Sequence, residues 1–156
     1  MTPPVTRTPD QGFEPRGKRI FTILIGISAL IVFLQGLWAG IFLEHDGERD
    51  SASSWIDVHA RGADIAILFA LAAAVVAFVK LRQRRDLWVG SALFAVLLIV
   101  ESYLGGLIRD DSKDVLTAVH VPLAMALMAL AAWLPFRARS VTSAEAAEAA
   151  DRKVSV

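Results

Sequence analysis

Four long apolar blocks, separated by short polar links, dominate the pattern of the sequence. They cover about 20–43, 56–79, 87–108 and 115–136. Each block approaches or exceeds the roughly 18 apolar residues that indicate a membrane-spanning helix. The pattern therefore predicts an all-α polytopic membrane protein whose four-helix transmembrane bundle occupies residues 20–136.

The segments on either side of these blocks are polar. Residues 1–19 are rich in Pro, Thr and charge, and residues 137–156 are small and charged. Such composition predicts disordered tails, because it offers too little apolar surface to fold against. Within the second tail, "AEAAEAADRK" could instead continue as a short helix.

Charge is segregated between the links. The clusters "PRGKR", "KLRQRRD" and "FRARS" are basic, whereas the links "EHDGERDSASS" and "RDDSKD" are net acidic. The basic clusters alternate with the acidic links along the chain, so four spans place all three on one side. By the positive-inside rule that side is the cytoplasm. We expect a multi-pass protein of the cytoplasmic membrane with both termini inside the cell.

Composition excludes several kinds of chemistry. Hydrophobic residues make up 55% of the 156 residues, and the formal net charge is zero, so nothing indicates a nucleic-acid partner; the expected surroundings are the lipid bilayer. The chain has no cysteine. Thiolate metal sites, iron–sulfur clusters, disulfides and covalent c-type haem are therefore excluded.

The two outward hairpins resemble each other. The first apolar block ends "LQGLWAG" and the third ends "VESYLGG", which aligns Gln35 with Glu101. Each is followed by an acidic link and then by a span that opens with Val-His, at His59 and His120. Since both units run in–out–in, the pattern predicts a parallel repeat with a pseudo-two-fold axis along the membrane normal.

The two in-span histidines have matching predicted depths, about 5–8 Å inside the outer boundary at the helical rise of 1.5 Å per residue. Histidines that face each other across a bundle can ligate one haem iron axially, which favours b-type haem here. A polar side chain, Gln35 or Glu101, could accept the second N–H of an imidazole. Two guanidinium groups, those of Arg61 and Arg109, could pair with the haem propionates.

Plainer interpretations of the same residues stay open. Either histidine could be only a hydrogen-bonding residue, for example to Glu101, and Gln35 could join two helices. The arginines are equally explained as interfacial side chains that extend to water, Arg61 pairing with Asp64 one turn on. In the outer loop "EHDGE", His45 and its acidic neighbours are a weaker candidate for a divalent metal.

The layout resembles one half of haem A synthase, the membrane enzyme that oxidises a haem methyl group. The resemblance rests on "QGLWAG", "DVHARGADIAILFALAAAVVAF", "ESYLGGLIR" and "AVHVPLAMALMALAAWL", and spans about 34–134. It implies His59 and His120 as axial haem ligands. The chain departs from the enzyme in being a single half and in lacking its loop cysteines. It also has Asp57 two residues before the histidine, where the enzyme has a glutamate one turn before. The resemblance therefore favours a haem-binding half-bundle rather than a complete enzyme.

Three functions compete at this point. The first is a b-type haem protein for electron transfer or haem handling, as a homodimer or within a larger respiratory complex. The second is a non-catalytic accessory subunit that packs through Gly36 and Gly40. The third is a proton-coupled carrier that uses Glu101, Asp64 and His120, although these groups lie at one end of the spans and predict no continuous path.

Overall fold

The computed structural model describes residues 14–44, 49–110 and 113–154, and these are almost entirely helical. The elements are α1 (Glu14–Glu44), α2 (Arg49–Lys80), α3 (Arg85–Asp110), a short 3-10 helix (Asp114–Leu116) and α4 (Thr117–Val154). Within the described part of the chain, four helices are long and apolar enough to cross a membrane. Their candidate spans are Arg16–Ile41, Ser53–Lys80, Arg85–Asp110 and Asp114–Arg139. The prediction of an all-α fold with four membrane-length helices is confirmed.

Every helix extends beyond its predicted apolar block at one end or both, and α2 begins at Arg49, ahead of the predicted start at residue 56. The first, α1, begins at Glu14, so the last residues of the predicted N-terminal tail are helical. The fourth, α4, continues to Val154, and the helical alternative for "AEAAEAADRK" is therefore the one found. Alanine and glutamate are strong helix formers, which explains why the helix does not stop at the end of the apolar block.

The helices form a closed ring in chain order. Each helix packs against the next one in sequence, and α4 closes the ring against α1. Short connections between consecutive elements explain this order, because they hold antiparallel neighbours side by side. Consequently α2 and α4, the two helices that carry the histidines, occupy opposite corners of the bundle.

The buried core lies in the half of the bundle that contains the N-terminus of α1. Small side chains recur on one face of α2 and meet larger ones from the other helices; the buried set includes Ala66, Ala70, Ala73, Ala77, Phe21, Ile25, Phe94, Leu127 and Leu134. Alanine at helical spacing lets the helix backbones approach closely. A side chain also joins two helices here, since the Ser28 hydroxyl donates to the carbonyl oxygen of Ala66 at 2.8 Å.

The opposite half of the bundle is packed more loosely. Most side chains there are half-buried or exposed, and Glu101 is the one buried ionisable side chain among those described, with 8% of its surface exposed. Burial of a carboxyl group is costly unless the group has a partner. The polar residues singled out in the sequence, Glu101 among them, lie in this looser half.

The three basic segments meet at the tightly packed end. A Cβ atom added to Gly17 would lie 2.9 Å from Cβ of Lys80, which brings the start of α1 beside the end of α2. Asp86 accepts from Arg84 at 2.8 Å and from Arg137 at 2.9 Å, joining the start of α3 to α4. Thus "PRGKR", "KLRQRRD" and "FRARS" share one end of the bundle.

Candidate functional site

The two histidines lie in the loosely packed half, on diagonally opposite helices. His59 is in the third turn of α2 and His120 is in the first turn of α4, and both are half-buried. Their imidazole rings are close enough for their charges to interact. Because α2 and α4 are at opposite corners of the bundle, two side chains from these helices can approach each other only in the bundle interior.

His59 packs against α1. Its imidazole lies near the backbone of Gln35. One turn further along α2, a Cβ atom on Gly62 would collide with the Trp38 ring and would lie 2.5 Å from Nε2 of Gln35. Gly62 therefore permits the close approach that brings α1 against the face of α2 that carries His59.

His120 packs against α3 in a similar way. Its imidazole lies near the backbone of Glu101. Its Nδ1 atom lies 3.2 Å from Oε1 of the Glu101 side chain, but the pair does not have the angles of a hydrogen bond. One turn beyond Glu101, a Cβ atom on Gly105 would lie 3.4 Å from Cε1 of the same ring. The face of α3 defined by these two residues forms the wall beside His120.

The contacts of the two histidines correspond. Each ring lies near the backbone of the residue at the same aligned position of the preceding helix, Gln35 for His59 and Glu101 for His120. The side chains at these positions differ: one is a neutral amide and the other is a carboxyl group. The two imidazoles therefore share a backbone environment but not an electrostatic one.

Several polar atoms at this site are buried without a hydrogen-bond partner. They are Oε1 and Nε2 of Gln35, both carboxyl oxygens of Glu101 and Nδ1 of His120. A buried polar atom left unpaired costs about 1–3 kcal/mol, so native proteins keep few of them and usually at sites of function. Their concentration around the two histidines marks this region as the candidate functional site.

The two arginines that the sequence singled out differ in their surroundings. Nε of Arg109 is 2.7 Å from Oδ1 of the adjacent Asp110, and Asp57 and Asp64 of α2 are near enough to interact with the same guanidinium group. Arg61 is exposed. At about 100° per residue, two positions along a helix turn the side chain to the far side, so Arg61 and His59 occupy different faces of α2.

The residues that close the site were only partly foreseen. Trp38, Gly105 and Gly62 all lie in stretches that the sequence singled out, but no role was predicted for Gly62, although "HARG" places it one turn after His59. The only sign of Gly62 in the sequence is its position three residues after His59, on the same face of a helix. The loop candidate His45 lies outside the described residues, and among those that are described no group of three or more His, Asp or Glu side chains could hold a metal ion.

Comparisons with known proteins do not assign this chain to a family: no family model, no curated protein and no solved structure matches it. A functional proposal therefore rests on the geometry of the site and on the class of protein, which is a four-helix bundle with membrane-length helices.

Proposed function

We propose that this protein is an integral membrane haem protein in which His59 and His120 are the axial ligands of a b-type haem. The observation that carries the proposal is that these imidazoles, from diagonally opposite helices, are near enough to interact electrostatically, beside buried polar atoms that have no hydrogen-bond partner. Ligands from facing helices are how bundles hold cofactors in their interior.

The residues present suit a haem better than a free metal ion. A structural metal ion is commonly held by four protein ligands, whereas an iron porphyrin needs only one or two. The described part of the chain offers two imidazoles at this site and no cluster of three or more metal-binding side chains. When bound, a bis-histidine haem supplies one-electron transfer and has no open coordination position for oxygen chemistry.

The same proposal includes a structural repeat of the two hairpins. A pseudo-two-fold axis along the membrane normal would relate α1 and α2 to α3 and α4, with one histidine from each hairpin. This is supported by the matched positions of the two rings, each near the backbone of the aligned residue of the preceding helix. The resemblance to one half of haem A synthase has the same layout, and it adds the expectation that haem is the ligand.

The direct test is the visible spectrum of the purified protein. We expect a sharp reduced α-band and a haem content near one per chain by pyridine haemochrome assay. A colourless protein, expressed with adequate haem supply and retaining its fold, would contradict the proposal. If that protein also co-purified with a larger membrane complex, the accessory-subunit alternative would replace it.

In this proposal Glu101 orients His120. Its carboxyl group lies 3.2 Å from Nδ1, so Nε2 of the same ring is the nitrogen that would bind the iron. An acidic partner on the far nitrogen fixes the tautomer and raises the basicity of a ligating imidazole. Glu101 is therefore a positioning residue rather than a ligand.

Glu101→Gln tests this role. We expect the variant to retain haem but to have a reduction potential more positive by about 60 mV, the equivalent of one tenfold change in a one-electron equilibrium. The direction follows because a neutral amide stabilises the ferric charge less than a carboxylate does. Potentiometric titration measures the change. An unchanged reduction potential together with an unchanged low-spin EPR spectrum would show that Glu101 does not orient His120.

We further infer that the basic end of the bundle faces the cytoplasm, which puts the histidines near the outer face of the cytoplasmic membrane and both termini inside. The support is the collection of three basic segments at one end and the positive-inside rule. Because the chain has no cysteine, single cysteines can be added without background labelling.

Two exposed positions at opposite ends provide a matched pair for this topology. We expect Ser54→Cys to react with a membrane-impermeant maleimide in intact cells, and Gln83→Cys to react only after the cells are opened. The labelled fraction on a gel measures the outcome. The reverse labelling pattern would invert the topology and place the haem site on the inner side.

A further inference from the structure

The end of the bundle opposite the histidines carries a rim of positive charge. Within residues 14–19, 80–86 and 137–139, nine residues are basic and two are acidic; the basic ones are Arg16, Lys18, Arg19, Lys80, Arg82, Arg84, Arg85, Arg137 and Arg139. Of the two acidic residues, Asp86 is already shared by Arg84 and Arg137. The rim therefore has a large uncompensated charge where the helices leave the apolar layer.

One corner of this rim, between α2 and α3, has a defined structure. The guanidinium carbon of Arg82 lies 5.4 Å from the centre of the Phe78 ring. Phe78 in turn meets Trp88 edge to face, with ring centres 5.8 Å apart. Arg82 and Arg85 are both exposed, and neither has a carboxylate partner among the described side chains. We call Phe78, Arg82, Arg85 and Trp88 the α2–α3 corner.

The aromatic residues indicate the depth of the corner in the membrane. Half of the Phe78 surface is exposed, on a helix that is apolar enough to span, so its ring faces lipid. Tryptophan is enriched at the level of the lipid headgroups. Arg82 lies over this ring, so in a bilayer its guanidinium group would be at the level of the phospholipid phosphates.

We propose that the α2–α3 corner binds the phosphate of an anionic phospholipid. Arg82 and Arg85 supply the positive charge, while Phe78 and Trp88 provide an apolar surface for the first part of an acyl chain. Guanidinium groups pair closely with phosphate oxygens, and basic sites beside transmembrane helices attract anionic lipids at about 1 kcal/mol for each Arg or Lys. This site is independent of the haem proposal, which concerns the other end of the bundle.

The test is lipid binding to the detergent-purified full chain, measured by native mass spectrometry. Phosphatidylglycerol and phosphatidylcholine with identical acyl chains are added separately, and inorganic phosphate is the third probe. We expect preferential binding of phosphatidylglycerol, weakened about fivefold in Arg85→Gln and about twenty-fivefold in Arg82→Gln with Arg85→Gln. Lys113→Gln removes one positive charge at the opposite end and is the matched control, for which we expect no change.

Three outcomes would overturn the proposal. The first is equal binding of the two phospholipids, which would mean that charge is not recognised. The second is full competition by inorganic phosphate, which would indicate a site for a soluble anion. The third is an equal loss of binding in Lys113→Gln and Arg85→Gln, which would reflect net charge alone. Circular dichroism of each variant checks that only folded proteins are compared.

Discussion

Replacing either His59 or His120 with alanine is expected to abolish the low-spin haem spectrum of the purified protein. The reason is that in the proposed site each imidazole would be one of two protein ligands of the iron, so loss of either ring would leave one. Disturbing even the residues that orient a ligand costs 10–100-fold in affinity or activity, so we expect loss of a ligand itself to reduce haem content by about tenfold or more. Pyridine haemochrome assay and the reduced α-band measure the effect.

The third histidine of the chain is the natural control for these variants. His45→Ala removes an imidazole that lies outside the two predicted ligand positions, and we expect its spectrum and haem content to match those of the unsubstituted protein. A spectrum that survives both His59→Ala and His120→Ala would show that any bound haem is held elsewhere. Loss of haem in all three variants alike would indicate general instability instead.

The helices could be predicted from the sequence because the signal for a membrane span is strong and local. About 18 apolar residues satisfy the length of the hydrocarbon layer whatever they pack against. Helix ends were less predictable: α4 continues to Val154 because its alanines and glutamates favour helix, although nothing apolar requires it there. The apolar length of a segment therefore predicts where it crosses the membrane but not where its helix stops.

Only the most polar residues of the candidate site could be predicted from the sequence. His59, His120, Gln35 and Glu101 stood out because polar groups are rare inside apolar spans, and they lie in one cluster. The partner of Arg109 could not be deduced in the same way. Its nearest carboxylate is the adjacent Asp110, and the approach of Asp57 and Asp64 depends on the packing of α2 against α3.

Glycines were the least predictable part of the sequence. Gly36 and Gly40 have the GxxxG spacing that indicates close helix packing. In the structure a Cβ atom on Gly40 would meet nothing within 4 Å, and one on Gly36 would meet only the flexible end of Met128 at 2.8 Å. Gly62, which has no second glycine at GxxxG spacing, is the position against which Trp38 and Gln35 pack. Spacing identifies glycines that could line an interface, but only the packed bundle shows which of them do.

Gly62→Val is therefore expected to disrupt the site, because the added side chain would occupy the space of the Trp38 ring and of the Gln35 amide. Overpacking of this kind costs about 1–3 kcal/mol. For a chain of this length we expect a fall in the unfolding temperature of about 5 °C. Because the backbone of Gln35 lies near the His59 imidazole, haem content should fall in the same variant.

Gly40→Val is the matched control, since it adds the same side chain to the same kind of helix where nothing lies within 4 Å. Valine is slightly better than glycine in a helix, by a few tenths of a kcal/mol, so we expect unchanged or marginally raised stability. Thermal unfolding in detergent and haem content are measured for both variants. If Gly40→Val were as destabilising as Gly62→Val, the cost would come from valine in a membrane helix and not from the contact of α1 with α2. If Gly62→Val kept its stability but lost haem, the contact would serve the site alone, and Trp38 would be the next residue to change.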